Sequence, residues 1–292
     1  MKISIVGAGS LGLLYGYYLA GEHEVTYYIR NEAQIDEINT YGISMIGHSI
    51  NKQVKARPIN EFASNDLVII ALKQTHIPKF IQDNHLKLKN HLILFLQNGL
   101  EHITYIKKYD LQAIIAIVEH GALKVGPQKV NHLGQGATKI SPYGKLTHES
   151  IKKIEEIKQE NLNFIYFDDW QKIAYEKLVI NAVINPLTAL FNVSNGEILN
   201  NSYLKSLGQA LCKETSEILK LNYNEQWYNV KRVCTLTSQN TSSMRLDILS
   251  NQKTEIDAII GYLLRQTGVN YPNLEFVYQS IKALEERGAK ND

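Results

Sequence analysis

A short β-prone run over residues 2–6 leads directly into Gly7-Ala8-Gly9-Ser10-Leu11-Gly12, and a helical pattern over residues 11–20 follows and closes at Gly21. Few chain geometries accept three glycines at this spacing between a strand and a helix. Gly7 permits a tight turn, Gly9 lets the backbone approach a pyrophosphate, and Gly12 lets the helix pack closely on the sheet. The helix start then offers unpaired N–H groups and the positive end of its dipole to phosphates. Residues Gly7, Ala8, Gly9, Ser10, Leu11 and Gly12 are therefore expected to form the cradle of a dinucleotide site. Without its flanking strand and helix the same hexapeptide would be no more than a glycine-rich turn.

The rest of the first half keeps the alternation. Residues 24–29, EVTYYI, are β-branched and aromatic and read as a second strand. Residues 66–72 (DLVIIAL), 91–96 (HLILFL) and 114–118 are near-continuous apolar runs, as expected of strands buried on both faces of a parallel sheet. Strands alternating with helical patterns predict an α/β fold with a doubly wound, Rossmann-type sheet. Gly121, Gly126, Pro127, Gly134 and Gly136 then mark an irregular or hairpin-forming stretch that ends near Gly144. A helix over 150–159 and a strand over 163–167 complete this half.

The end of the second strand bears on the choice of nicotinamide cofactor. An NAD site places an acidic residue about 20 positions after the glycines, bonded to the ribose hydroxyls. Here Ile29-Arg30 occupies that place, with no acid before Glu32. An arginine there pairs with a 2′-phosphate, so NADPH/NADP is the expected cofactor. Lys73 and Asn98-Gly99 close two further strands, and ligands in open α/β sheets sit beyond the carboxyl ends of strands. Lys73 is a candidate for the ribose or phosphates, and Asn98 for the nicotinamide end. Each is also an ordinary turn residue.

After residue 168 strand signals nearly vanish, and five helices are expected at 170–191, 202–221, 225–233, 254–266 and 273–287. The predicted division is residues 1–168 as nucleotide-binding domain and 169–292 as an all-helical substrate domain. The first of these helices contains EKLVINAVINPLTAL at 176–190, with Lys177, Asn181 and Asn185 four residues apart. Residues at that spacing lie on one face. One ammonium and two carboxamides thus line a single stripe of a largely apolar helix, where an unpaired buried polar group costs about 1–3 kcal/mol. A small polar substrate would meet them; neighbouring backbone is the alternative. Asn185-Pro186 predicts a kink or break near Asn185, because proline lacks the donor and disfavours helical geometry before it.

A second polar group follows: Asn240-Thr241-Ser242-Ser243-Met244, then Asp247 and Thr254-Glu255-Ile256-Asp257. Small hydroxyls beside an asparagine suit a carboxylate. Thr254 is also a natural helix cap with Asp257 three positions on, which leaves Glu255 for a ligand.

Composition narrows the classes. The chain has 292 residues, 44% hydrophobic and 21% charged, with a net charge of +2 that gives no electrostatic reason for nucleic acid or an anionic membrane. No apolar stretch has the length of a membrane span or a secretory signal. Two cysteines, Cys212 and Cys234, form neither a close metal-ligand pair nor a dithiol motif. No metal is expected, and a reducing, cytoplasmic setting is the simplest account.

Taken together these segments resemble the 2-dehydropantoate 2-reductase (ketopantoate reductase) family. The resemblance runs through GAGSLG, ALKQ at 71–74, LQNG at 96–99, HGA at 120–122, GPQKVNHLGQG at 126–136, the lysine–asparagine helix, NTSSMRLDI and TEID. It implies a Rossmann domain, a helical domain and an active site between them. It also implies NADPH-dependent reduction of 2-dehydropantoate to pantoate, a step towards pantothenate and coenzyme A. By matched position it makes Lys177 the proton donor. Asn98, Asn181, Asn185, Asn195, Asn240 and Ser243 then fall on the substrate side. Gly7–Gly12, Arg30, Lys73, Asn98, Ala122 and Glu255 fall on the cofactor side. Glu255 serves Lys177, the substrate or the cofactor. The segment SNQKTEID departs from the glycine and arginine that often precede TEID in the family. Two other readings stay open: an NADP-linked reductase of another 2-keto or 3-hydroxy acid, and a protein that senses NADPH without turnover. A homodimer through the helical domain is expected.

Overall fold

The computed structural model describes residues 1–289, and its backbone falls into two compact units. The first comprises Met1–Gln97 and His102–Ile173; the second comprises Asn98–Glu101 and the chain from Ala174 onwards.

In the first unit the strands are β1 (Lys2–Val6), β2 (Glu24–Ile29), β3 (Ser44–Met45), β4 (Lys55–Pro58), β5 (Leu67–Ile70), β6 (Leu92–Phe95) and β7 (Ala113–Val118). They continue with β8 (Gly121–Lys124), β9 (Lys129–Gly134), β10 (Thr138–Tyr143) and β11 (Phe164–Tyr166). Helices α1 (Ser10–Leu19), α2 (Glu32–Tyr41), α3 (Ile77–Leu88), α4 (Glu101–Tyr109) and α5 (His148–Glu156) lie along the same stretch. Eight strands form one sheet in the order β11-β10-β7-β6-β5-β1-β2-β4. The pairs from β4 through β7 are all parallel, and β10 runs antiparallel to β7. The strand order reverses at β1, which pairs with β2 on one side and β5 on the other. The apolar runs behave as their composition dictates: every residue of β5 and β6 is buried. The glycine-punctuated region resolves into the β8–β9 hairpin, joined to β3 in a separate three-stranded sheet, and into β10.

Helix α1 lies on the main sheet at very short range. A Cβ on Gly16 would stand 1.7 Å from the Tyr27 hydroxyl of β2, which donates to the Gly12 carbonyl at 2.9 Å. Tyr15, also fully buried, shares a 2.6 Å hydrogen bond with Thr138 of β10.

The second unit is helical: α6 (Trp170–Phe191, which begins in the first unit), α7 (Glu197–Asn200), α8 (Ser202–Leu219), α9 (Tyr223–Leu236), α10 (Ser243–Leu249), α11 (Tyr262–Arg265) and α12 (Pro272–Ala289). Asn201, Asn222 and Ser242 cap α8, α9 and α10 through their side chains. Helices α7 and α10 are additional to the five expected. The segment expected as one helix over 254–266 begins instead with a π turn, Asp257–Gly261, before α11.

The expected break at Asn185 does not occur. Helix α6 runs without interruption from Trp170 to Phe191 with Pro186 inside it. Leu178, Val179, Ala182, Val183, Ile184 and Leu187 are all at most 3% exposed, so packing on several sides holds the helix against a proline penalty of about 3 kcal/mol. Local hydrogen bonding helps. The Thr188 hydroxyl lies 2.8 Å from the Ile184 carbonyl, 3.0 Å from the Asn185 carbonyl and 2.6 Å from the Ser242 hydroxyl. Among the described residues no helix is long and apolar enough to cross a membrane, and both cysteines are buried and free.

Candidate functional site

In the first unit the glycine turn sits at the carboxyl end of β1, where the strand order reverses. Gly7 has φ +102, and a Cβ there would stand 2.9 Å from the Ala71 carbonyl; at Gly12 a Cβ would stand 2.1 Å from the Gly7 carbonyl. Packing therefore demands both glycines. Gly9 differs: no described atom lies within 4 Å of where its Cβ would be. Nothing in the protein explains a glycine there, whereas a pyrophosphate lying against the backbone would. Gly9 is also the N-cap of α1 and offers no side-chain cap, so the first N–H groups of the helix point onward without one. On these grounds the residues present fit a dinucleotide.

The turn is braced from two sides. Gln34 of α2 donates to the carbonyls of Ala8 and Pro127. The Ser10 hydroxyl accepts the Lys124 N–H at 3.0 Å, which ties β8, and Ala122 within it, to the start of α1. Leu11 is half-buried beside it. Neither brace was legible in the sequence, because nothing local marks Gln34 or Lys124 as partners of residues 8 and 10.

Arg30 is exposed at the end of β2 and lines a cavity of about 550 Å³ together with Leu72, Thr75, His76, Asn60 and Phe80. Burial, then the neighbouring cations Arg30 and Lys73, hold the His76 imidazole below its ordinary range. Arg30 at the cavity and Lys73 beside it both act on His76, next to the apolar Leu72 and Phe80. The geometry suits an anionic group on a flat apolar body, as a phosphorylated adenosine presents.

In the second unit α6 carries the stripe. Lys177 and Asn185 are half-buried, and Asn181 is 6% exposed. Asn195 and Asn240 come together: the Asn195 N–H donates to the Asn240 carbonyl at 3.1 Å, and Gly196 N–H to the Ser238 carbonyl at 3.0 Å. The Asn195 Nδ2 donates to the Thr237 hydroxyl at 2.9 Å, and its Oδ1 is buried with no partner. Asn240 itself is exposed.

Of the serine pair, Ser242 is the buried one. It caps α10 by accepting the Arg245 N–H at 3.1 Å and bonds Thr188 of α6. Ser243, one position on, is exposed. Ser243 is the residue expected on the substrate side; Ser242 and Thr188 are the pair that joins α10 to the stripe helix just past Asn185.

Thr254 does cap the turn that follows it, accepting the Ile256 N–H at 3.2 Å. The reciprocal half comes from α12 rather than from Asp257. Glu285 accepts both the N–H and the hydroxyl of Thr254, at 2.8 and 2.7 Å. Asp257 is bonded to Tyr278 and Lys282. Glu255 is half-buried at the head of the π turn. Asn98 also belongs to this unit, and Leu100, two residues on, donates to the Ala258 carbonyl at 3.1 Å. No group of three or more histidine, cysteine or acidic residues able to hold a metal is found among the described residues.

A doubly wound sheet with a glycine cradle at its strand-order reversal, followed by a helical unit bearing a lysine–asparagine stripe, defines a Rossmann-type reductase plan. Residues 3–145 match the family described as ketopantoate reductase PanE/ApbA, and residues 169–285 match its C-terminal part. The chain belongs to the ketopantoate reductase family. It is 36% identical to a 2-dehydropantoate 2-reductase of Bacillus subtilis over 99% of each chain. A crystal structure of a probable 2-dehydropantoate 2-reductase from that organism superposes with a TM-score of 0.86, covering 98% of this chain and 100% of the other. A D-mandelate dehydrogenase complex with NADH and anilino(oxo)acetate has the same fold, with a TM-score of 0.90 at 23% identity, covering 99% and 100%.

Proposed function

We propose that this chain reduces 2-dehydropantoate to pantoate with NADPH. The observation that carries the reading is the α6 stripe, in which the Asn181 side chain is buried and the half-buried Lys177 lies one helical turn before it on the same face. An ammonium and carboxamides along one face of an otherwise apolar helix suit a small polar ligand. Membership of the family supports the substrate; Arg30 at the cavity and Lys73 beside it support a 2′-phosphate and hence NADPH.

When bound, NADPH supplies the hydride that reaches the C2 carbonyl carbon. In this reading the backbone of Gly7, Ala8, Gly9, Ser10, Leu11 and Gly12 holds the pyrophosphate. Arg30 and Lys73 hold the 2′-phosphate and ribose, and Ala122 and Asn98 border the nicotinamide end. Lys177 stabilises the negative charge growing on the carbonyl oxygen and delivers a proton to it. Asn181, Asn185, Asn195, Asn240 and Ser243 hold the substrate's carboxylate and hydroxyl in line for transfer. Glu255 orients Lys177 or accepts from the substrate hydroxyl.

Consumption of NADPH in the presence of 2-dehydropantoate, set against a panel of other 2-keto acids, tests the reaction. Preference for another acid would move the substrate assignment, and binding without turnover on any would remove the enzyme reading. Replacing Lys177 with alanine is expected to lower kcat about a hundredfold or more while NADPH binding, followed by its fluorescence, stays near the parent value. Near-normal turnover would exclude Lys177 as the acid. A homodimer through the helical unit belongs to the same proposal, supported by the exposed Tyr203, Tyr228, Leu236 and Phe276 side chains; a monomer in sedimentation at micromolar concentration would exclude it.

A further inference from the structure

The short segment Asn98–Glu101 is fastened to the turn that follows Glu255 by a backbone hydrogen bond and a side-chain bridge, with Gly99 packed closely between them. Leu100 donates its N–H to the Ala258 carbonyl at 3.1 Å. Gly99 has φ +78, and a Cβ there would stand 2.6 Å from that same carbonyl, so both its conformation and its contact require glycine. The bridge is made by a side chain. The Arg265 guanidinium pairs with the Glu101 carboxylate and also donates to the Asp257 carbonyl at 3.2 Å. Gly261 leaves room for it, since a Cβ there would stand 3.2 Å from an Arg265 guanidinium nitrogen.

The turn being fastened is a π turn. Such turns carry one residue more than the α-helical repeat and are frequent at functional sites. Its other face is tied by Asp257 to Tyr278 and Lys282 of α12, and Thr254 just before it to Glu285. Glu255 thus stands between two anchors, and Arg265 is the one that also reaches the Asn98 loop. The Arg265 side chain is 51% exposed and that of Glu101 25% exposed. A pair so placed contributes little to global stability, which leaves its geometry as the thing it supplies.

We propose that Arg265 is a positioning residue: by bridging Glu101 and the Asp257 carbonyl it locks the Asn98 loop to the Glu255 turn, fixing the spacing of two side chains that meet cofactor and substrate. The inference rests on the proposed reaction for its functional half, and on the geometry alone for the latch.

Amide hydrogen exchange and steady-state kinetics on Arg265→Ala, Glu101→Ala and the double variant test the two halves. Loss of the latch is expected to speed exchange of the Leu100 amide by about tenfold with the thermal midpoint nearly unmoved. It is expected to lower kcat/KM for 2-dehydropantoate by roughly tenfold to a hundredfold. The double variant should lose no more than either single one, because each removes the same bridge. Arg265→Lys, which keeps the charge without the two-pronged reach, should recover only part of the activity. Unchanged exchange at Leu100, unchanged kcat/KM, or losses that add in the double variant would each overturn the proposal. If the parent reduces no 2-keto acid, the proposed reaction falls and the exchange measurement alone decides the latch.

Discussion

In the proposed reaction Arg30, at the end of β2, is the side chain that would distinguish NADPH from NADH. Arg30 lines the cavity beside the first unit's sheet, and an arginine matches a phosphate through a forked pair of hydrogen bonds that a ribose hydroxyl cannot use. Arg30→Ala is expected to raise KM for NADPH about tenfold or more while that for NADH changes little. Equal effects on both would defeat the assignment. Ser10 shows the opposite case, in which a residue serves two ends. The glycine pattern marks it as part of the phosphate cradle, yet its hydroxyl accepts the Lys124 N–H from a strand 114 residues away. Sequence spacing conveys the first role because the motif is local. It conveys nothing of the second, because the partner is brought in by the β8–β9 hairpin. The Asn195 and Asn240 pairing is hidden for the same reason: it runs through backbone groups, which every residue has.

At the scale of elements, strands β1, β2, β5, β6, β7 and β11 and helices α6, α8, α9 and α12 are legible because apolar runs and caps are local signals, whereas β4, polar and paired only at the sheet's edge, gives no such signal. Helix α6 shows where local reasoning fails. Proline chemistry predicts a break, but the helix continues because its neighbours are buried and Thr188 lies within hydrogen-bonding reach of the carbonyls of the turn containing Pro186. Thr188→Val keeps the shape and removes those contacts together with the one to Ser242. It is expected to cost roughly 1–2 kcal/mol in denaturant unfolding; an unchanged midpoint would show that packing alone carries the helix past the proline. The π turn was illegible for a related reason. Its anchors Tyr278, Lys282 and Glu285 all come from α12, and no pattern within TEID announces them. Helix α12 is itself placed from outside. Glu214 of α8 accepts from the Asn273 N–H and Nδ2 and from the Leu274 N–H, serving as a cap supplied by another helix. Glu214→Gln should lower stability by about 1–3 kcal/mol, read by chemical denaturation.

Across the whole molecule, two groups illustrate how its stability responds to acid. In the first unit burial pushes the His102 ring down to about 3, where it stacks on Phe95 and bonds Gln74. The folded ring stays neutral while the unfolded ring, with an ordinary value of 6.5, takes up a proton. Below that value the unfolded chain binds more protons, so stability falls as pH is lowered, by up to about 1.4 kcal/mol per pH unit. In the second unit Asp257 is held below its ordinary range: burial raises it, but the hydrogen bonds from Tyr278 and Lys282 and the Lys282 charge outweigh that. Its contribution is present at neutral pH and lost as pH falls through the folded value. His102→Gln is therefore expected to flatten the decline in stability between about pH 6.5 and about pH 3, measured by denaturant titration. An unchanged slope would remove His102 from the account. The meeting of α1 and β2 has a consequence of a different kind. The Tyr27 hydroxyl fills the space that a side chain on residue 16 would need, so position 16 cannot change while the tyrosine remains. In the historical record of this family the two sites should change as a linked pair: lineages that lose the tyrosine become free to lose the glycine, and seldom in the reverse order.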